Sequence, residues 1–182
     1  LNELQYSSYL SSNNPVMTIE VANMGEMKLQ LFPSIAPITV DAIISYIERG
    51  DYENNEFHRV INEFMIQAGR LDNPYCSFLG EMNNNEDFTG TNDLSHFRGV
   101  LSMARVGGFY NSQSSQFFIV DAYSPYLDDE YAGFGGLISG FNILDFIAAM
   151  QEEGSDVPTE KITITNITIE LNGYEPSAPV CD

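Results

Sequence analysis

The stretch Phe57-His58-Arg59-Val60-Ile61-Asn62-Glu63-Phe64-Met65-Ile66-Gln67 (FHRVINEFMIQ) decides the fold. Apolar and polar side chains alternate on both sides of Asn62-Glu63, so the spacing predicts two short strands joined by a tight turn. With a period of two, Phe57, Arg59 and Ile61 share one face. That face carries a permanent cation among apolar neighbours, with the amide of Gln67 at the end of the stretch, in a chain that has only 7 Lys and Arg. The residues alone leave two readings open. Arg59 sits in a structural ion pair on a core strand pair, or it is a functional group.

Working towards the N-terminus, Val40, Ile43, Ile44 and Ile47 recur at helical spacing, and Gly50 after Arg49 ends that helix. Pro33 and Pro37 stop strand pairing ahead of it. Met17–Val21 and Glu26–Phe32 alternate around Asn23-Met24-Gly25, a hairpin in which Gly25 takes a positive φ. Residues 1–15 are rich in Ser and Asn without a period and read as an arm or linker. Residues 16–172 form the domain, and 173–182 a tail.

Working towards the C-terminus, Leu71–Phe97 has little regular period. A connection of this length is either functional or carries short elements of its own. Gly99–Ala104 and Gln116–Val120 read as strands flanking a polar loop, and Tyr123–Tyr131 reads as another loop. Phe134 begins a further strand. Asn142–Glu153 reads as a helix capped by Asn142. Ile162, Ile164, Ile167 and Ile169 mark a last strand, bulged between Ile164 and Ile167. The strands follow one another mostly without intervening helices, which favours an antiparallel barrel or sandwich over a doubly wound sheet.

Composition narrows the function. With 182 residues, 43% of them hydrophobic, 12 Phe and 10 Tyr, the chain can build one compact core. A net charge of -19 excludes a broad basic footprint for nucleic acid and is repelled by anionic membranes. No apolar run reaches the ~18 residues of a spanning helix, since Ile143–Met150 is broken by Asp145. Cys76 and Cys181 are compatible with one disulfide or with two free thiols.

Several chemistries are missing. His58 and His96 offer no zinc spacing with the remote cysteines, and His58 beside Arg59 reads as a satisfied structural histidine. There is no G-x-S-x-G elbow. Gly133, Gly135 and Gly136 form neither a P-loop nor a dinucleotide fingerprint, and read as strand or turn glycines. Asp128, Asp129 and Glu130 miss the EF-hand spacing and read as a solvated acidic loop.

Two segments together are specific. FHRVINEFMIQAG (Phe57–Gly69) and RGVLSMARVGGFYNSQSSQFFIV (Arg98–Val120) resemble the two signature segments of the cyclophilin family of peptidyl-prolyl isomerases. LDDEYAGFG (Leu127–Gly135) is similar to a third family segment, MKLQLFPSIAPITVDAII to its opening strand and helix, and GEM…NDLSHFRGVLSMAR to its bacterial branch. The resemblance implies a mostly β fold, a closed eight-stranded antiparallel barrel capped by two helices. It implies cis/trans isomerisation of X-Pro bonds, with no cofactor and no metal. The expected partners are proline-containing peptides and unfolded or flexible protein segments, not nucleic acid and not the membrane interior, and the expected state is monomeric.

The resemblance also assigns residues. Arg59 matches the arginine that donates to the proline nitrogen, Gln67 the glutamine supporting it, and Phe118 and Tyr131 complete the catalytic set. Phe64, Met65, Phe118 and Leu127 match the proline pocket. Ala104, Arg105 and Gln116 match the groove, and Tyr126 a position often held by tryptophan. That tryptophan contacts cyclosporin A in many members, so Tyr126 implies weakened inhibition, with the long Arg105 crowding the groove beside it.

Other departures are Asn62-Glu63 for Pro-Gly, Ala68 for glycine, Arg105 for asparagine, a longer Arg105–Ser115 loop, and Gly136 for lysine. None removes the donor or the pocket. An alternative reading is a non-catalytic module holding proline segments in the same groove. Arg59, Met65, Gln67 and Phe118 together favour the enzyme, because a pure binder need not keep the cation. A start at Leu1 reads as a trimmed leader. With the Ser/Asn-rich arm and the few lysines, it leans towards an exported bacterial protein.

Overall fold

A computed structural model describes residues 4–181. The period-two stretches become strands β1 (Val16–Val21), β2 (Gly25–Leu31), β3 (Asn55–Glu56), β4 (Arg59–Ile61), β5 (Met65–Ala68), β6 (Val100–Met103), β7 (Phe117–Val120), β8 (Gly133–Ser139) and β9 (Thr163–Glu170). Two helices accompany them, α1 (Pro37–Glu48) and α2 (Phe141–Ala148). All nine strands belong to one sheet in the order β3-β9-β1-β2-β8-β6-β7-β5-β4, and its ladders are antiparallel.

The expected closed eight-stranded barrel is corrected to a curled nine-stranded sheet. Its two edge strands, β3 and β4, are consecutive pieces of one segment, so the sheet comes round on itself through chain continuity. The ladder breaks at Phe57-His58, where the Phe57 amide turns to the Ile162 carbonyl (3.1 Å) and the Val60 amide to that of Asp156 (2.8 Å). The break also changes the faces. Phe57 enters the main core with Val60, while Arg59 remains partly exposed on the other side. The expectation that Phe57 and Arg59 share a face therefore fails, because period two holds only along an unbroken strand.

Alternation along β7 builds two apolar layers. Phe117 and Ile119 enter the main core, while Phe118 and Val120 enter a second cluster with Met65, Leu94 and Leu127. The turn at Asn62-Glu63 is present, with Glu63 at φ 61°. The expected bulge is present as well. Glu20 faces Asn166 and Val21 faces Ile164, which leaves Thr165 as the extra residue.

Helix α1 begins with Pro37, and Ala36 gives it no side-chain cap. The cap comes from the Leu71–Phe97 segment. Buried Glu81 accepts from the Thr39 amide (2.6 Å) and the Thr39 hydroxyl (2.8 Å), placing a carboxylate at the positive end of the helix. Helix α2 is shorter than expected, and Asn142 is not its cap. Gly140 holds the N-cap position at φ 95°, a conformation that favours glycine. Beyond Ala148 the chain leaves the helix, and the Gln151 amide group donates to the Ser155 carbonyl (2.8 Å) while its oxygen accepts from the Asn62 amide (2.8 Å).

Tyr6 ties the N-terminal arm to the sheet, and a disulfide ties down the C-terminal tail. The Tyr6 ring is fully buried, its hydroxyl donates to the Leu137 carbonyl (2.5 Å), and it lies against Gly136. A Cβ on Gly136 would sit 2.4 Å from that ring, which explains why no larger side chain stands there. The glycines of Gly133–Gly136 are strand glycines of β8, as expected. Cys76 and Cys181 form a disulfide that ties the tail to the Leu71–Phe97 segment.

Candidate active site

Strand register assembles the site. Arg59 pairs with Gln67, Gln67 with Phe118, and Phe118 with Ser102, so four side chains form a row across β4, β5, β7 and β6. Within the row, Arg59 Nη1 donates to Gln67 Oε1 (3.3 Å); Gln67 Nε2 in turn donates to Gln116 Oε1 (2.8 Å), just ahead of β7. The other edge of the guanidinium faces Asp156, with Nε and Nη2 each 3.4 Å from Oδ2. Arg59 is thus held on two sides while its side chain stays 42% exposed.

A cavity of about 190 Å³ opens beside this row. Phe64, Met65, Phe118 and Leu127 supply its apolar wall, and Arg59 and Gln67 line it together with Ala104, Arg105 and Tyr131. Phe118 is fixed between two rings, stacked with His96 at 6.3 Å and edge-on to Tyr131 at 5.9 Å. Arg105 does not extend into solvent. Its Nε donates to the Glu130 carbonyl (3.0 Å), and its guanidinium covers the Tyr131 ring at 4.5 Å and the Tyr110 ring at 4.8 Å. The cavity thus carries apolar walls, the guanidinium of Arg59, that of Arg105 tied back to Glu130, and the amide of Gln67, a combination suited to an apolar ring attached to a polar bond.

Gln116 and Tyr126 lie outside this cavity. Gln116 lines an adjoining hollow of about 190 Å³, which also borders Gln67, Ala104 and Arg105. Tyr126 is on the rim, 66% exposed, with its ring centroid 5.8 Å from that of Phe64.

Asp156, His96, Asp128, Ser95 and Ser102 support the site without a signal in the sequence. Asp156 braces Arg59. His96, fully buried behind Phe118, lies between Asp128 (Nδ1 to Oδ1, 3.0 Å) and the Ser102 hydroxyl (Nε2 to Oγ, 2.8 Å). Asp128 also accepts from the Ser95 hydroxyl (2.5 Å) and the His96 amide (2.8 Å). The solvated-loop reading is therefore corrected for Asp128, which clamps the layer beneath Phe118. Burial pushes the His96 pKa down against the opposing pull of Asp128, so the ring is neutral and can donate at Nδ1 and accept at Nε2. No local pattern marks these residues, because Asp156 is 97 residues from Arg59 and Asp128 is 32 from His96.

His58 is also corrected. Its Nδ1 is buried without a hydrogen-bond partner among the described residues. Burial, followed by the charge of Arg70, pushes its pKa down against the opposing pull of Glu56 and Gln116.

Comparison with known proteins agrees with this geometry. A family model described as "Cyclophilin type peptidyl-prolyl cis-trans isomerase/CLD" matches residues 16–169. A Staphylococcus epidermidis protein, provisionally named a peptidyl-prolyl cis-trans isomerase, is 32% identical, covering 87% of this chain and 93% of its own. Peptidyl-prolyl cis-trans isomerase 4 of Caenorhabditis elegans is 35% identical over 85% of this chain and 30% of its own. Among solved structures, a Cryptosporidium parvum cyclophilin-type peptidyl-prolyl cis-trans isomerase superposes with TM-score 0.75 at 30% identity, covering 86% of this chain and 98% of its own. The same protein, crystallised in the presence of the dipeptide Ala-Pro, gives TM-score 0.73 at 30% identity over 85% of this chain and 98% of its own.

Proposed function

This chain belongs to the cyclophilin-type peptidyl-prolyl cis-trans isomerases, and from that premise we propose that Arg59 drives rotation about X-Pro bonds held in the cavity beside it. The observation that carries this reading is the single cavity lined both by Arg59 and by the apolar wall Phe64, Met65, Phe118 and Leu127. Rotation is slow because the C–N bond has partial double-bond character, with a barrier of ~18–20 kcal/mol. Twisting the bond returns the lone pair to the proline nitrogen. A charged donor beside that nitrogen stabilises the twisted state more than either planar state.

Gln67 and Asp156 hold the guanidinium before substrate arrives, so little reorganisation accompanies the twist. The apolar wall anchors the proline ring while the rest of the peptide turns. Ala104 and Gln116 border the path of the preceding residues. Arg105 and Tyr131 close the far side, and Tyr126 stands at the entrance. The crystallisation of the Cryptosporidium parvum relative in the presence of the dipeptide Ala-Pro supports proline peptides as the ligand class.

The substrates in this reading are X-Pro bonds of unfolded or flexible segments, met by a monomer. The Cys76–Cys181 disulfide supports residence in an oxidising compartment.

A protease-coupled isomerisation assay on an X-Pro tetrapeptide tests the activity. Catalysed relaxation to the cleavable isomer is expected. Relaxation no faster than the spontaneous rate at micromolar protein overturns the reading.

A further inference from the structure

The proline cavity is one end of a longer groove. It shares Gln67, Ala104 and Arg105 with the hollow beside Gln116, and that hollow shares Val106 and Ser112 with a larger cavity of about 490 Å³. This distal cavity lies between the Arg105–Ser115 loop and the Leu71–Phe97 segment. Phe109 is 67% exposed there and Val106 59%, large apolar surfaces open to solvent. The charged side chain in its lining is Asp87. The nearby cation, Arg105, is engaged by Glu130 and its side chain is only 7% exposed, so it does not offset Asp87 towards solvent.

The distal cavity is also built in advance. Asn111 joins its two walls. Asn111 Oδ1 accepts from the Gly80 amide (3.1 Å) and from Asn85 Nδ2 (2.8 Å), while Asn111 Nδ2 donates to Asp87 Oδ2 (2.8 Å). The Ser112 hydroxyl links the Val106 amide (2.8 Å) to the Phe109 carbonyl (2.6 Å). The loop thus presents Phe109 and faces Asp87 in a set arrangement, and a ligand pays little ordering entropy there.

We propose that this distal groove selects proline segments that carry a Lys or Arg near the proline. The aliphatic stem lies over Phe109 and Val106, and the cationic head meets Asp87. A long basic side chain suits such a site because it packs along apolar surface while keeping its charge in water. Phe109 adds a ring face that attracts a cation. The net charge of -19 draws basic segments towards the molecule in the same sense. This inference rests on the isomerase reading and adds a substrate class to it.

The test uses X-Pro peptides that differ only in carrying Lys, Ala or Glu at successive positions on either side of the proline. At one of those positions kcat/KM should favour Lys over Glu by roughly two- to five-fold at low salt, the range of an exposed charge pair. The preference should fade at ~1 M salt, where the Debye length is about 3 Å. Asp87→Lys should invert the order of the Lys and Glu peptides. Phe109→Ala should narrow the preference without lowering the melting temperature, because the ring is exposed.

Equal turnover of Lys and Glu peptides at every position overturns the inference, as does a preference that survives Asp87→Lys. If the unmodified protein fails to turn over even the Ala peptides, it is the isomerase reading that fails. Fluorescence titration of the labelled Lys and Glu peptides against the same variants then decides the groove by affinity alone.

Discussion

Replacing Arg59 with alanine removes the proposed donor and little else. A preorganised donor aimed at charge developing in a transition state is typically worth ~2.7–4 kcal/mol, or 10²–10³ in kcat. Arg59 should fall below that range, because its side chain is 42% exposed and its contacts to Gln67 and Asp156 are 3.3–3.4 Å long. Water can enter the space and donate in its place, so a loss of about ten- to a hundred-fold in kcat is expected. The fold should survive. The Arg59–Asp156 pair is exposed on both sides, and such pairs contribute ~0–1 kcal/mol. Val60 keeps its backbone bond to Asp156 and Gln67 keeps its bond to Gln116.

The assay is protease-coupled isomerisation, with thermal unfolding followed in parallel to show that the variant is folded. Arg59→Lys adds a control. It retains the charge but lacks the rigid fork that reaches Gln67 and Asp156 together, so its activity should lie between those of the Ala variant and the unmodified protein. Near-normal turnover in a folded Arg59→Ala protein would refute the mechanism. A loss confined to KM would refute it differently, by showing that Arg59 binds the planar and twisted states equally.

Phe118→Ala should lower stability by roughly 3–5 kcal/mol, since the ring is 5% exposed and packed between His96 and Tyr131, and should weaken turnover by the folded fraction. Lost stability with unchanged turnover per folded molecule would make Phe118 core alone. The His96 and His58 pKa values are pushed down in the folded chain, so their contribution is complete above the unfolded value of about 6.5 and is lost as pH falls below it. Burial raises the carboxyls of Glu81 and Asp121, which acts in the opposite sense as they take up protons in the folded chain first. Urea midpoints should therefore drop as pH first falls below about 6.5, and by less in a His96→Asn variant; equal drops in the two proteins would remove His96 as the cause. Reducing the Cys76–Cys181 disulfide, which spans 105 residues, should cost roughly 2–4 kcal/mol, and identical melting with and without reductant would contradict this. Cyclosporin A should inhibit weakly, and Tyr126→Trp should strengthen inhibition, because the exposed Tyr126 ring offers a smaller face and a differently placed donor; tight inhibition of the unmodified protein would show that Tyr126 does not discriminate.

Local pattern was enough for the elements whose physics is local. Alternation in FHRVINEFMIQ marks β4, the turn and β5, and the isoleucines of β9 mark both the strand and its bulge. The cavity residues Arg59, Phe64, Met65, Gln67 and Phe118 were legible because the two signature segments carry them, and Leu127 because the third segment, LDDEYAGFG, begins with it. The ladder break at Phe57-His58 was not legible. It depends on the carbonyls of Ile162 and Asp156, which reach that point only when the C-terminal loop folds against it. The same holds for Asp156 beside Arg59, Asp128 and His96 beneath Phe118, Glu81 on the first turn of α1, and Tyr6 over Gly136. Each is a polar or aromatic group whose partner lies far away in the chain, and neither residue of a pair shows a periodic signal. Hydrophobic periodicity records which side of an element is buried. Which distant group satisfies a buried donor, braces a cation or fills the space above a glycine is decided only when the sheet curls and brings those positions together.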